Sequence, residues 1–171
     1  SAAVDPKIVS MMSKFFVEDY GNASSGHEFG RRAKLALSDA RHVVAKSISA
    51  NDGEVYFTAG GTESNNLAIK GLAYAFGLHG GAKKNHIVTT KVEHSCILNT
   101  CKWLASTMVF DVTYLDVDKD GFVNPSDLEK AIKPTTFLVS IIHGNNEIGT
   151  VNDIKTLGAI CRKKGVLFHT D

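Results

Sequence analysis

The sequence has few cysteines, no long apolar run and no excess of either charge. Three cysteines in 171 residues do not make the disulfide framework of a small secreted protein and indicate reduced thiols. No apolar run approaches the roughly 20 residues of a membrane span. A formal net charge of +1 gives no reason to expect nucleic acid or a membrane as partner. Residues 1–6 lack the basic and apolar regions of a signal peptide. We therefore expect a soluble, cytoplasmic protein, with the mitochondrial matrix as the alternative compartment.

Helical patterns alternate with short apolar runs along the chain. The helical patterns predict helices at 5–19, 28–48, 63–78, 96–106, 125–132 and 154–163. The apolar runs predict strands at 55–57, 86–90, 109–115, 137–142 and 166–169. Strands joined by helices imply an α/β fold, with a mostly parallel, doubly wound sheet and helices on both faces. In such a sheet, ligands bind at the carboxyl ends of the strands.

A glycine-containing turn follows the first predicted strand and precedes a helix. It reads Thr-Ala-Gly-Gly-Thr-Glu-Ser-Asn-Asn at 58–66. Glycines such as Gly61 let backbone amides approach an anion, Thr62 adds a hydroxyl, and the helix N-terminus contributes partial positive charge. Phosphate is the ligand that this combination favours. The plain alternative is a tight turn in which Thr62 only caps the helix.

Three further polar motifs follow predicted strands. His94 can stack on a planar ligand or move a proton, Asn146 lies in a segment that offers uncharged amides, and Asp171 can pair with a protonated ring nitrogen. Taken singly, each has a plain alternative: a helix-capping histidine, a turn-forming asparagine and an aspartate that ends a strand. Taken together with the glycine turn, they are the set that pyridoxal phosphate requires.

The same motifs resemble those of the cysteine desulfurases, in the class V aminotransferase group. Residues 57–71 look like the phosphate-binding segment of that family, 92–95 like its stacking-histidine motif, 145–149 like its asparagine motif and 169–171 like its ring-nitrogen aspartate motif. Residues 21–27 also resemble a family loop, which usually has proline where this chain has Ala23. The resemblance implies that Thr62 and the backbone near Gly61 hold the phosphate. It further implies that His94 stacks on the ring and assists proton transfer, that Asn146 contacts the phenolic oxygen and that Asp171 contacts the pyridine nitrogen.

The resemblance also implies a fold and a reaction. The fold is the large domain of a fold type I pyridoxal-phosphate enzyme. The reaction is the conversion of L-cysteine to L-alanine, with the sulfur passed as an enzyme persulfide to iron–sulfur cluster or thio-cofactor synthesis. Members of the family are usually homodimers, and a scaffold protein that accepts sulfur is the implied partner. Two alternatives stay open: a selenocysteine lyase, and a non-catalytic fragment or interaction module.

The resemblance places several family features after Asp171. These are the lysine that holds the cofactor, a glutamine, the mobile loop with the nucleophilic cysteine and the small C-terminal domain. We therefore expect residues 1–171 to form a partial cofactor-binding domain that is inactive by itself. The lysines that do not match the family's motif are Lys70, Lys83 and Lys91, and the cysteines that we do not assign as nucleophile are Cys96, Cys101 and Cys161.

Residues 116–121 copy the start of an EF-hand calcium loop, and Asp127 falls at its twelfth position. The preceding residues read as a strand, Asp127 replaces the usual glutamate, and no second hand follows. Asp-Gly pairs are strong turn signals, so we expect a solvated turn before the helix at 125–132. We expect no metal site in the chain.

Overall fold

A computed structural model of the chain describes residues 3–78, 84–108 and 110–171. The chain divides into two compact units, Ser1–Phe57 and Thr58–Asp171. Within the described residues, no helix combines the length and the hydrophobicity needed to cross a membrane. Lys83, one of the lysines named above, and Val109, the first residue of the strand predicted at 109–115, lie outside the described residues.

The first unit contains two helices and a short 3₁₀ turn. Helix α1 is Pro6–Val17, helix α2 is Glu28–Ser47 and the 3₁₀ turn is Asp52–Glu54. The Asp5 carboxylate caps α1 by accepting the Lys7 N–H at 2.8 Å. Pro6 at the first helical position loses no hydrogen bond there. Both helices predicted for this region are confirmed.

The strand predicted at 55–57 is wrong. These residues form no strand, although Val55 itself is buried. The Val55 carbonyl accepts a hydrogen bond from the Arg41 guanidinium, and the same guanidinium lies 5.1 Å from the centre of the Phe57 ring. The residue types here favour an extended backbone, but a strand also requires hydrogen bonds to a neighbouring strand. At Val55 the Arg41 side chain, and not a neighbouring strand, binds the backbone carbonyl.

The second unit is built around a four-stranded parallel sheet. Its strand order is β2-β1-β3-β4, and all three pairings are parallel. Its elements are α3 (Gly61–Ala73), a π-helical turn (Tyr74–Leu78), β1 (His86–Thr90), α4 (Ser95–Thr107), β2 (Asp111–Leu115), α5 (Pro125–Ala131), β3 (Thr136–Ser140), α6 (Ile154–Lys163) and β4 (Leu167–His169).

Alternate residues of the central strands enter two separate cores. Ile87 and Leu138 pack with residues of α3 and α4, whereas Val88 and Val139 pack with residues of α5 and α6. Successive side chains of a strand point to opposite faces of the sheet. Helices therefore cover both faces, and the predicted parallel, doubly wound α/β fold is confirmed.

Candidate functional site

The loops that follow β1, β3 and β4 meet at one edge of the sheet. The strands are parallel, so their carboxyl ends lie on the same side. Two backbone hydrogen bonds continue the β3–β4 pairing past the strand ends: Ile141 N–H donates to His169 O at 3.1 Å, and His143 N–H donates to Asp171 O at 3.0 Å. The C-terminal segment thereby brings Asp171 beside the segment that follows β3.

His94 is the N-cap residue of α4 and it is exposed. Its ring atom Nδ1 accepts the backbone N–H of Cys96 at 3.2 Å and lies 2.9 Å from Cys96 Sγ. The structure thus confirms the simpler interpretation that His94 caps a helix. Capping uses Nδ1 and leaves Nε2 and both faces of the ring without an assigned role, so stacking on a ligand stays a prediction.

His94 and Asp171 lie close together although they are 77 positions apart in the sequence. A ring nitrogen of His94, Sγ of Cys96 and a carboxylate oxygen of Asp171 all lie within 4.8 Å of one another. The imidazole and the carboxylate are exposed, whereas the thiol is buried. The structure therefore brings together two of the predicted site residues and adds a cysteine that the sequence motifs did not assign to the site.

Glu93 is a buried carboxyl group that sequence reasoning did not single out. Its atom Oε1 accepts the Thr90 hydroxyl at 2.8 Å and the Ile142 N–H at 2.9 Å, and so joins the carboxyl ends of β1 and β3. Within the described residues, Oε2 has no hydrogen-bond partner. Burial raises the pKa of Glu93 to about 7; the hydrogen bonds from Ile142 and Thr90 oppose this rise, and the charge of Asp171 adds to it.

The N-terminus of α3 forms an open cradle. Gly61 and Thr62 are exposed and line a depression of ≈ 570 Å³. The Glu63 carboxylate turns back to accept the Ala59 N–H at 2.7 Å, and this bond holds the turn. The first backbone N–H groups of a helix have no partner within the helix, so this end of α3 can bind an anion.

Hydrogen bonds between α3 and α4 connect the cradle with the His94 segment. The Asn65 amide donates to Cys96 Sγ at 3.2 Å, and the Thr100 hydroxyl donates to Asn66 Oδ1 at 3.0 Å. Asn65 lies one helical turn after Thr62, and Cys96 lies two residues after His94. The two predicted binding elements are therefore neighbours in space.

The two adjacent asparagines have different roles. Asn145 is buried; its Oδ1 accepts the N–H groups of Glu147 at 2.9 Å and Ile148 at 3.1 Å, and its Nδ2 donates to the Val92 carbonyl at 3.0 Å. Asn146 is exposed and donates to the Glu147 carboxylate at 3.0 Å. Asn145 thus holds the loop against the segment before His94, and Asn146 is available to a ligand.

His169, in the last strand, is a partly buried neighbour of Asp171. Its Nδ1 lies 2.9 Å from the Ser140 hydroxyl oxygen. Burial lowers the pKa of His169, and the charge of Asp171 opposes this shift. The lowered pKa favours a neutral imidazole beside the Asp171 carboxylate.

The remaining cysteines lie in the two cores. Cys101 and Cys161 are buried. Burial raises the pKa of Cys101 to about 12, with a further contribution from the charge of Glu93, and burial raises the pKa of Cys161 to about 11. A thiol with so high a pKa holds little thiolate and is a poor nucleophile. These two residues are therefore core thiols, in keeping with the decision not to assign either as the nucleophile.

The segment that copies an EF-hand is a turn. Asp118 Oδ1 accepts the N–H groups of Asp120 and Phe122, both at 2.9 Å, and Asp116 pairs with Lys91 at 2.6 Å. Gly121 adopts a positive φ of 87° within this turn. Two of the carboxylates that an EF-hand would direct at calcium, those of Asp118 and Asp116, are used here by backbone amides and by a lysine.

Comparisons with known proteins agree with the motifs. The sequence profile of the aminotransferase class-V family matches residues 1–171. The chain is 47% identical over 165 residues to the cysteine desulfurase IscS of Dictyoglomus turgidum, a match that covers 96% of this chain. It is also 47% identical over 168 residues to a mitochondrial cysteine desulfurase of Arthroderma benhamiae, covering 98% of this chain and 33% of that protein.

Solved structures give the same result. A NifS-like protein superposes with a TM-score of 0.93 at 38% identity, covering 100% of this chain and 46% of that one. A protein described as SspA in complex with cysteine superposes with a TM-score of 0.92 at 39% identity, covering 100% of this chain and 48% of that one. The chain spans 41% of the length of its Dictyoglomus relative. It belongs to the aminotransferase class-V family, and the resemblance to cysteine desulfurases that its motifs predicted is confirmed.

Proposed function

We propose that the whole protein is a pyridoxal-phosphate-dependent cysteine desulfurase, which converts L-cysteine to L-alanine and passes the sulfur on as an enzyme persulfide. The observation that carries this proposal is the convergence of His94 and Asp171 within 4.8 Å at the carboxyl edge of the sheet. Relatives named cysteine desulfurase and a structural neighbour solved with cysteine support it.

The residues present fit the proposed cofactor. The N-terminus of α3 offers the amides near Gly61 and the Thr62 hydroxyl to a phosphate group. The Asn146 amide is an exposed donor for the phenolic oxygen. Asp171 supplies the anion that a protonated pyridine nitrogen needs, and His94 supplies a flat ring that can cover one face of the cofactor.

The two carboxyl groups at this edge differ in burial. Glu93 is buried, and this burial raises its pKa to about 7. Asp171 is exposed, so its carboxylate is open to a ligand. The cofactor, when bound, would supply the electron sink for the carbanion at the substrate Cα. Asp171 would keep the ring nitrogen protonated, and His94 would move a proton near that carbon.

The partners and the compartment belong to the same proposal. We expect a homodimer and a scaffold protein that accepts the sulfur, as the family resemblance implies. The proposed compartment is the cytoplasm, with the mitochondrial matrix as the alternative; one relative is named a mitochondrial enzyme. Size-exclusion chromatography with light scattering would test the dimer. Fluorescence microscopy of the labelled protein in the source cell would test the compartment.

The test is an absorbance titration of the whole apoprotein with pyridoxal phosphate, followed by assay of alanine formed from L-cysteine. Thr62→Ala, His94→Ala and Asp171→Asn each remove one proposed contact. Thr62→Ala and Asp171→Asn each remove a proposed hydrogen bond to a charged group of the cofactor, which corresponds to about a tenfold or greater rise in the Kd for pyridoxal phosphate. His94→Ala removes the ring that would cover the cofactor and should weaken binding as well. Asp127→Asn, an exposed charge change on α5, is the matched control. Variants that bind and turn over like the parent would refute the site, and absence of alanine from the parent would refute the activity.

A further inference from the structure

A chain of polar contacts connects α3 to His94 through a cysteine. The Asn65 amide nitrogen lies 3.2 Å from Cys96 Sγ, and Cys96 Sγ lies 2.9 Å from His94 Nδ1. Asn65 is 5% exposed and Cys96 is 8% exposed, whereas His94 is exposed. The exposed His94 ring therefore contacts a buried thiol, and a buried amide in turn contacts that thiol.

The donors along this chain have a defined direction. The Asn65 amide can only donate to sulfur, so Cys96 Sγ is the acceptor of that bond and its S–H is free to point at His94. The Cys96 backbone N–H also donates to His94 Nδ1, at 3.2 Å. Because Nδ1 accepts, the neutral imidazole carries its proton on Nε2.

We propose that Cys96 is a positioning residue whose thiol fixes the rotation of the His94 ring. This inference rests on the proposed function, in which His94 covers the cofactor and moves a proton. A backbone N–H alone caps the helix but tolerates rotation of the ring, whereas a second contact from the thiol restricts it. Through Asn65, the same contact ties the orientation of the ring to the helix that carries the phosphate cradle.

The first test compares substitutions of two cysteines on the same helix of the whole protein. Cys96→Ala removes the contact to His94 and Cys96→Ser restores a donor at the same place. Cys101→Ala is the matched control, because Cys101 is also buried on α4 and packs in the same core. We expect Cys96→Ala to lower kcat for L-cysteine about fivefold, the net effect of one hydrogen bond. Cys96→Ser should stay within about twofold of the parent protein.

A purely structural role predicts a different pattern. Both alanine variants would then lower the unfolding temperature, and neither, or both alike, would change kcat. The second test is therefore epistasis: in a His94→Ala background, Cys96→Ala should have no further effect on kcat or on the absorbance of bound pyridoxal phosphate. Nitrogen NMR of labelled histidine should also show His94 protonated on Nε2 in the parent protein.

The outcomes separate the two proposals. If His94→Ala impairs the protein but Cys96→Ala does not, or if the two losses multiply in the double variant, the positioning role is refuted and the proposed function stands. If His94→Ala itself changes neither cofactor binding nor kcat, the site assignment fails, and the positioning role fails with it. A His94 ring protonated on Nδ1 would refute the assigned tautomer directly.

Discussion

Replacing Glu93 with glutamine should change how the stability of the chain depends on pH. Burial raises the pKa of this carboxyl group from 4.5 to about 7. Between these two pH values the folded state binds more protons than the unfolded state, so the free energy of unfolding falls as pH rises through this window. Each pKa unit corresponds to about 1.4 kcal/mol, which makes the total loss about 3 kcal/mol.

Glutamine is the uncharged counterpart of the protonated carboxyl group and does not titrate. Below about pH 4 we expect Glu93→Gln and the parent chain to unfold with nearly equal free energies. Above about pH 8 the variant should be more stable by about 3 kcal/mol, because the parent must then bury a carboxylate whose Oε2 has no partner among the described residues. Titrating groups that do not interact with Glu93 are common to both proteins and cancel in the difference.

The assay is urea unfolding of the full chain across this pH range. Trp103, the only tryptophan, lies on α4 and its fluorescence reports on the unit that contains the site. Glu129→Gln is the matched control, because Glu129 is half exposed and pairs with Lys164 at 3.4 Å, an arrangement that contributes about 1 kcal/mol at most. A difference between Glu93→Gln and the parent that does not vary with pH would refute the reasoning. So would a carboxyl group at position 93 that ionises near 4.5 by infrared titration.

Three further substitutions, with Asn146→Ala as a comparison for the first, test the loops and the core. Asn145→Ala removes three hydrogen bonds and should lower the free energy of unfolding by about 3 kcal/mol, as measured by urea unfolding. Asn146→Ala should change the free energy of unfolding by less than about 0.5 kcal/mol. It should weaken only cofactor binding, which the pyridoxal-phosphate titration measures. Gly121→Ala places a side chain at a φ of 87° and brings its Cβ to 2.5 Å from Ile148 Cδ1. The unfolding temperature should therefore fall in a calorimetric scan, by an amount that corresponds to about 1–3 kcal/mol. Leu138→Ala, at a fully buried position between β1 and β4, should cost about 2–5 kcal/mol in urea unfolding.

Each of these has a control within the chain. Asn124→Ala alters an asparagine that caps α5 and should cost about 1 kcal/mol, less than Asn145→Ala. Gly53→Ala places its Cβ in open space and should be nearly neutral. Leu35→Ala, at an exposed position, should be much milder than Leu138→Ala. Equal effects within any of these pairs would contradict the contacts described for the first member.

Helix positions were the part of the fold that the sequence predicted best. Helix α6 has the predicted bounds, Ile154–Lys163, and α4 differs by one residue at each end. Helix formation depends on neighbouring residues: side-chain caps at Asp5, Asn124 and Asp153 and an apolar period that the chain carries in any context. For the same reason, the alternation of helices and strands was enough to predict a parallel sheet with ligands at its carboxyl edge.

The sequence by itself also determined which residue types follow each strand, and hence which chemistry this edge of the sheet can support. Only the tertiary structure decided which of these residues meet. In that structure residues 55–57 have no strand partner, and Glu93 is buried between two strand ends. Asn145 has a structural role whereas Asn146 is exposed, and Cys96 lies between Asn65 and His94. Burial, strand pairing and side-chain contacts depend on residues far apart in the sequence. A group's desolvation and its partners, which set its pKa and its role, are therefore fixed only when the sheet and its helices assemble.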